Sequence, residues 1–139
     1  YRFATLADLE GILECTEDAC SEFSVFYRKE SQYAMEGQGR VLIALKGQEV
    51  CGALMVGPQR DIPGLGSIGC TTVKRNCQGQ HIATNLVLLG TRALKDMGMR
   101  ESYLSYTYSG LDRLYGAAGY QIKVFYMMAE KTWEGLPQP

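Results

Sequence analysis

The clearest indication of the fold is the segment TTVKRNCQGQHIAT, residues 71–84. It joins an apolar run that ends at Val73 to a long amphipathic run that begins near His81, through a polar loop that contains Gly79. This order predicts a strand, a loop and then a helix. The first N–H groups of a helix lack partners within it and, with the helix dipole, form a site for an anion. Spacing alone leaves two interpretations open, an anion site at the helix start or a plain crossover turn.

The loop differs from the common nucleotide-binding loops. It contains neither the GxxxxGK[ST] pattern of a Walker loop nor the GxGxxG pattern of a dinucleotide-binding fold. The sequence therefore carries no fingerprint of either class, and an unrelated α/β nucleotide-binding domain stays an alternative without a motif in its favour.

On either side of this segment, apolar periodicity predicts one mixed α/β domain with the order β-α-α-β-β-β-α-β-α-β. Residues 1–131 are predicted to form this domain and residues 132–139 a C-terminal tail. Because the sequence does not begin with Met, we expect it to be a piece of a longer or tandem-domain chain. The predicted strands are 1–4, 40–45, 50–56, 67–73, 102–107 and 120–130, and the predicted helices are 5–19, 21–35, 81–97 and 109–118.

Composition excludes several classes of function. The 139 residues carry 14 Lys and Arg against 15 Asp and Glu, so no overall charge draws the protein to nucleic acid or to an anionic membrane. The single histidine, His81, excludes metal sites built from several histidines. The five cysteines are odd in number and form no CxxC pair, which predicts buried free thiols and a cytoplasmic location. No apolar run approaches the roughly 20 residues of a membrane span.

Two motifs carry a family resemblance. Residues 78–83, QGQHIA, begin five residues after Val73, and residues 114–120, LYGAAGY, place Leu-Tyr ahead of Gly-Tyr. With the predicted element order, they resemble the GCN5-related N-acetyltransferases (GNAT), which have Gln or Arg at the position of Gln78 and Gly or Ala at that of Ala83. His81 departs from the pattern, because relatives often have glycine there. The resemblance covers nearly the whole chain and implies a GNAT fold with splayed central strands.

The resemblance implies acetyl-CoA as cosubstrate. Its pantetheine arm would bond to the backbone of Thr71, Thr72 and Val73, and its pyrophosphate would rest on the N–H groups of the following loop. Lys74 and Arg75 could add positive charge, or they belong to a solvated loop face. We expect the His81 ring to point outward and to leave the loop N–H groups accessible. The loop residues implied in cofactor binding are Gln78, Gly79, Gln80, His81, Ile82, Ala83 and Thr84.

The implied activity is direct acetyl transfer to an amine of a small molecule or peptide in a ternary complex. The alternative is a CoA-binding or structural module of a larger protein with little activity. Tyr115, in LYGAAGY, is the candidate general acid for the leaving thiolate; alternatively, its ring packs in the core. The general base is not evident, because residues 67–73 contain no carboxylate, and Asp61 and Glu101 would act through water if they are not surface charges.

Aromatic residues are the candidates for the acceptor pocket, and ordinary packing in the core and on sheet faces is the alternative. The long last strand, residues 120–130, could also pair or swap across a homodimer. The candidate pocket residues are Tyr103, Tyr106, Tyr108, Phe125 and Tyr126, with Phe23, Phe26 and Tyr27 as a roof.

Overall fold

The computed structural model of the protein describes residues 1–35, 40–127 and 129–130. Short 3-10 turns precede α1, α2 and α4 and follow β4. In chain order the elements are β1 (Arg2–Phe3), α1 (Leu9–Ala19), α2 (Ser24–Met35), β2 (Arg40–Lys46), β3 (Glu49–Pro58), β4 (Leu65–Val73), α3 (Ile82–Asp96), β5 (Glu101–Tyr103) and α4 (Asp112–Gly116).

The strands form one mixed sheet in the order β1-β2-β3-β4-β5. The pairs from β1 to β4 are antiparallel, and β4 pairs with β5 in parallel. The parallel pairing covers only Leu65, Gly66 and Ser67 of β4, although the strand continues to Val73. The two strands thus part along the second half of β4, as the family resemblance implies.

Helices cover both faces of the sheet. One buried cluster joins β-strand residues such as Leu54 to Leu86 and Leu94 of α3 and to Tyr115 of α4. The other joins Ile43 and Ala53 to residues of α1 and α2. Successive strand residues alternate between the two clusters, as the pleat of a strand requires. Double-sided burial explains why β2 and β3 are almost continuously apolar in sequence.

A glycine lets α3 lie close to the sheet. A Cβ atom built at Gly90 would collide with Leu54, which is fully buried and has no room to yield. We therefore expect Gly90→Ala to lower the free energy of unfolding by about 1–3 kcal/mol, despite the better helix propensity of alanine. Urea denaturation measures the change. The matched control is Gly116→Ala in α4, where nothing lies within 4 Å of the added atom; unchanged stability of Gly90→Ala would contradict the packing explanation.

The sequence prediction was wrong at the last strand. Residues 120–127 and 129–130 adopt no strand, and Ile122, Val124, Phe125 and Met127 are exposed. The physical reason is that strand propensity describes how well side chains suit a pleated surface, whereas a strand also needs a paired edge. Here β5 offers only the three residues Glu101–Tyr103, less than the predicted 102–107. The predicted tail, 132–139, lies outside the described residues, and the role of 120–130 in a dimer stays a prediction.

Candidate active site

The second half of β4 contains a β-bulge. Thr72 pairs with Ala53 of β3 and Gly69 pairs with Met55, so two residues of β4, Cys70 and Thr71, stand opposite the single residue Leu54. Cys70 has a φ of 50°, in the left-handed region that residues with a side chain seldom adopt. A bulge redirects side chains and backbone groups at this point of the strand. It lies where β4 has already parted from β5.

Tyr115 reaches this bulge from α4. Its ring packs in the core and is 7% exposed, with the Tyr120 ring edge-on at 6.3 Å. Its hydroxyl oxygen lies 3.1 Å from the Thr71 hydroxyl. Burial raises the pKa of Tyr115, and its hydrogen bonds to Thr71 and Thr107 oppose that rise only in part. The phenol therefore keeps its proton at neutral pH, which a general acid requires, while the ring also packs as the structural alternative predicted.

The loop after β4 leads into a helix start without a side-chain cap. His81 is the N-cap residue of α3, and the N–H of Asn85 makes the first helical bond, to the His81 carbonyl at 3.0 Å. The N–H groups of residues 81–84 accordingly have no acceptor within the helix. Gly79, at a φ of 76°, has open space around it, and the Gln78 side chain closes the loop by donating to the Val73 carbonyl at 3.2 Å. The free N–H groups fit a diphosphate.

Polar backbone and side-chain groups on the second half of β4 also fit the pantetheine arm of CoA. From Ile68 to Val73 no residue of β4 pairs with β5 among the described residues, although side chains donate to the Cys70 and Val73 carbonyls. Other backbone groups of this stretch are available for the amides of an extended ligand. The Thr72 hydroxyl is buried and has no hydrogen-bond partner in the described part of the chain. A polar ligand beside this strand would add partners that the protein alone does not supply.

His81 is exposed and has a φ of 59°. The left-handed backbone explains why glycine suits this position of the motif. We expect His81→Ala to keep kcat/KM within about tenfold, because the resemblance implies anion contacts from backbone N–H groups, which the substitution retains, and left-handed strain costs alanine only about 1–2 kcal/mol. Steady-state kinetics checks this. His81→Pro is the contrast, because proline cannot adopt a positive φ and should disrupt the loop; a loss of several orders of magnitude in His81→Ala would contradict this account.

The two cations predicted beside the loop differ in their surroundings. The Lys74 ammonium lies 2.6 Å from the Glu49 carboxylate on β3, so its charge is already paired. The Arg75 side chain is exposed, and its backbone N–H donates to Asp18 of α1 at 2.7 Å. Only Arg75 of the two thus presents its side chain to solvent at this loop.

Neither carboxylate considered as general base lies near the bulge. Glu101 pairs with Leu65 and Asp61 precedes β4, so both belong to the opposite end of that strand. Thr71 lies six residue steps along the strand from Leu65, a distance of about 20 Å. Burial, and then the charges of Cys20 and of Glu30 on α2, raise the pKa of the Cys70 thiol to about 11, so Glu30 is a carboxylate whose charge acts at the bulge. The helical spacing of Tyr27 and Glu30 is the sequence signal that could have found this carboxylate.

The predicted acceptor-pocket aromatics are mostly exposed. All five pocket candidates have at least 38% of their surface exposed, so none of them packs in the core; packing on a sheet face stays open for Tyr103, which lies on β5. Of the roof candidates, Phe26 is exposed, Phe23 is half-buried, and Tyr27 is fully buried, with its hydroxyl donating to the Cys70 carbonyl at 2.7 Å. The exposed candidates are Tyr103, Tyr106, Tyr108, Phe125 and Tyr126.

Parted parallel strands, a bulge on one of them and an uncapped helix start directly after it define the class of CoA-dependent acetyltransferases. The model of the acetyltransferase (GNAT) family matches residues 8–120, and the chain belongs to this family. It is therefore an N-acetyltransferase with acetyl-CoA as cosubstrate. No curated protein matches the chain. In the described part of the chain, no helix has the length and apolar character to cross a bilayer.

Solved structures share the fold at low sequence identity. A GNAT-family acetyltransferase from Desulfovibrio desulfuricans is 16% identical, with a TM-score of 0.75 over 88% of this chain and 85% of the other. A GNAT-family acetyltransferase from Brucella melitensis, in complex with acetyl-CoA, is 22% identical, with a TM-score of 0.64 over 81% and 78%. An aminoglycoside 6'-N-acetyltransferase from Acinetobacter haemolyticus is 18% identical, with a TM-score of 0.68 over 94% and 98%.

Proposed function

We propose that this N-acetyltransferase passes the acetyl group directly from acetyl-CoA to an amine of a small molecule or peptide, in a ternary complex. The observation that carries the proposal is the contact of Tyr115 with Thr71, 3.1 Å between hydroxyl oxygens, at the point where β4 leaves β5. A proton donor thus stands beside a free strand edge, and that edge continues into the uncapped start of α3.

Each part of the cosubstrate has a matching part of the chain in this proposal. The backbone of Thr71, Thr72 and Val73 bonds the amides of the pantetheine arm. The loop of residues 78–84 holds the pyrophosphate through its free N–H groups, those of residues 81–84 above all, with the positive end of the α3 dipole behind them; the Gln78 N–H donates instead to the Arg75 carbonyl. Gly79 lets the loop backbone approach the phosphates closely.

The chemistry requires one bond to form and one to break. The acceptor nitrogen attacks the thioester carbonyl, a C–N bond forms, and the C–S bond breaks as the thiolate leaves. Tyr115 gives its phenolic proton to the departing sulfur. A backbone N–H near Val73 stabilises the charge that develops on the carbonyl oxygen. The proton lost by the amine passes to a water molecule. Glu30 is the candidate carboxylate that then accepts the proton from this water.

The acceptor in this proposal is a neutral or weakly charged amine. Exposed aromatic rings, Tyr106 and Tyr108 among them, follow β5 in the chain, and such rings favour an apolar or planar substrate. Several structural neighbours are named aminoglycoside acetyltransferases, but at 14% to 18% identity that likeness extends to the fold alone.

One observation favours the second candidate, a CoA-binding module with little activity. No carboxylate lies on β4, the strand on which many relatives carry their general base. The two candidates differ in whether bound acetyl-CoA is consumed.

Calorimetric titration with acetyl-CoA and CoA, followed by thiol release across a panel of amines, separates these candidates. We expect binding of both ligands, amine-dependent thiol release, and intersecting double-reciprocal plots, as a ternary complex requires. Binding without consumption by any amine would favour the module, and parallel plots would contradict direct transfer. Preference for ATP or NAD over CoA would overturn the cofactor assignment.

The proposal includes a cytoplasmic location. All five cysteines are free thiols, and three of them, Cys15, Cys51 and Cys77, are buried. Persistent free thiols are typical of reducing compartments.

A further inference from the structure

The bulge on β4 has an unusual first residue. In one common form of bulge this position is a glycine in the left-handed conformation, which costs glycine nothing. Here Cys70 occupies it, with a φ of 50°. A residue with a side chain persists in that region only where its surroundings hold it. Some contact must therefore favour this conformation of Cys70.

Tyr27 supplies such a contact. Its side chain is 1% exposed, and its hydroxyl donates to the Cys70 carbonyl at 2.7 Å, across 43 residues of sequence. A carbonyl displaced from the strand ladder by a bulge needs another donor. Burial raises the pKa of Tyr27 well above its ordinary value, so the hydroxyl stays protonated and donates at every physiological pH.

The residue after Cys70 carries the proposed chemistry. Thr71 is the second residue of the bulge, and its hydroxyl meets that of Tyr115. The conformation of Cys70 sets the direction of the chain as it enters Thr71, so it sets the position of the Thr71 hydroxyl and of the backbone that follows. Tyr27 touches neither Thr71 nor Tyr115 through any hydrogen bond of the described residues, and acts on them through Cys70.

We propose that Tyr27 is a positioning residue for acetyl transfer: its hydroxyl holds Cys70 in the left-handed conformation and so fixes the bulge from which Thr71 meets Tyr115. This inference rests on the proposed function, since it assumes that transfer takes place at this bulge. It adds a residue of α2, on the opposite face of the sheet from α4, to the machinery of the site.

The first test is Tyr27→Phe, which removes one oxygen atom and keeps the ring. We expect kcat to fall about 10- to 100-fold, the usual cost of misplacing reacting groups slightly. The dissociation constant of CoA should rise much less than kcat falls, because the pantetheine contacts of residues 71–73 weaken while the α3 loop that holds the pyrophosphate is unchanged. Hydrogen exchange of the amides in residues 69–73 should speed up, which reports on the bulge without any turnover.

The decisive variant restores the conformation without the hydroxyl. Glycine adopts a positive φ freely, so Tyr27→Phe combined with Cys70→Gly should recover most of the lost kcat. Tyr27→Phe combined with Cys70→Ala should not recover it, because alanine also disfavours this region. The pair of double variants separates the role of the backbone from that of the thiol.

Ser24→Ala is the matched control on the same helix. It removes a buried hydroxyl bonded to Thr16 at 2.9 Å, away from the bulge. We expect a loss of stability similar to that of Tyr27→Phe, with kcat unchanged. An equal loss of kcat in Ser24→Ala would reduce the Tyr27 effect to general destabilisation.

Failure of the inference and failure of the proposed function give different results. If the wild-type protein acetylates an amine and Tyr27→Phe has wild-type kcat, the inference is overturned and the function stands. If the wild-type protein binds CoA without transfer, the proposed function fails. The structural part of the inference is then tested by hydrogen exchange alone: unchanged exchange of the amides of residues 69–73 in Tyr27→Phe would show that Tyr27 does not hold the bulge. If Tyr27→Phe does not fold, recovery of folding and kcat by Cys70→Gly supports the inference, and no recovery overturns it.

Discussion

Tyr115→Phe is expected to lower kcat for acetyl transfer by about 100- to 10,000-fold, the range that a positioned general acid contributes. The substitution leaves the ring in the core and removes only the hydroxyl that lies 3.1 Å from Thr71. Because no atom of the α3 loop changes, the KM for acetyl-CoA and the affinity for CoA should stay close to their wild-type values. Steady-state kinetics and calorimetric titration measure the two quantities separately.

Tyr120→Phe is the control for this experiment. Tyr120 lies edge-on to Tyr115, and its own hydroxyl bonds to Thr91 of α3 and Ser102 of β5 instead of Thr71. Its loss should lower stability by about 1 kcal/mol, the worth of a typical hydrogen bond, and leave kcat unchanged. Wild-type turnover in Tyr115→Phe would remove Tyr115 from the mechanism.

The pH dependence of turnover tests the same role of Tyr115 as general acid. A general acid works while it is protonated, so turnover falls as pH rises through its pKa. Burial raises the pKa of Tyr115, so the descending limb of the wild-type profile should lie above pH 10, about the ordinary pKa of tyrosine. In Tyr115→Phe that limb should disappear from the residual activity.

The elements that sequence predicted well are those whose signal is local. The long helix was predicted from residues 81–97 and is observed as Ile82–Asp96, because its apolar spacing continues until Gly98, where a φ of 82° ends it. The helix predicted to begin at Thr5 is observed as the 3-10 turn Leu6–Asp8 followed by α1, and the Asp8 carboxylate accepts the Thr5 N–H at 2.7 Å in a capping box. The segment 120–127 failed because its strand pattern needed a partner edge, which no local pattern reveals.

The site divides in the same way. The loop of residues 78–84 and Tyr115 both stand in short motifs, so they could be singled out from the chain alone. The bulge could not, because it arises from the pairing register of Ala53 and Met55 against β4. Tyr27 reaches that bulge from α2, 43 residues earlier in the chain than Cys70. Contacts between residues so far apart in sequence follow from tertiary packing. The same packing puts Asp61 and Glu101 at the end of β4 opposite the bulge, where they cannot serve as the general base.

Gln80→Asp is expected to weaken CoA binding about 10- to 100-fold while it leaves the fold as stable as before or more so. Gln80 is exposed and stands directly before the N-cap residue of α3. A carboxylate near a helix start gains from the dipole by about 0.3–1 kcal/mol. The same carboxylate repels the pyrophosphate, and two charges at about 4 Å near a surface interact by about 1–4 kcal/mol.

The opposite signs of the two effects make Gln80→Asp informative. Gln80→Asn, of the same size and without charge, should bind CoA as the wild type does, and Gln80→Lys should bind it more tightly. Raising the salt concentration should reduce the differences in CoA affinity among these variants, because charges farther apart than about 10 Å are largely screened at 0.1 M. Acetylpantetheine, which has no pyrophosphate, should have the same KM with Gln80→Asp as with the wild type. An equal loss for both thioesters would mean that the loop acts on the acetyl end, and equal CoA binding by all four proteins would place the pyrophosphate elsewhere.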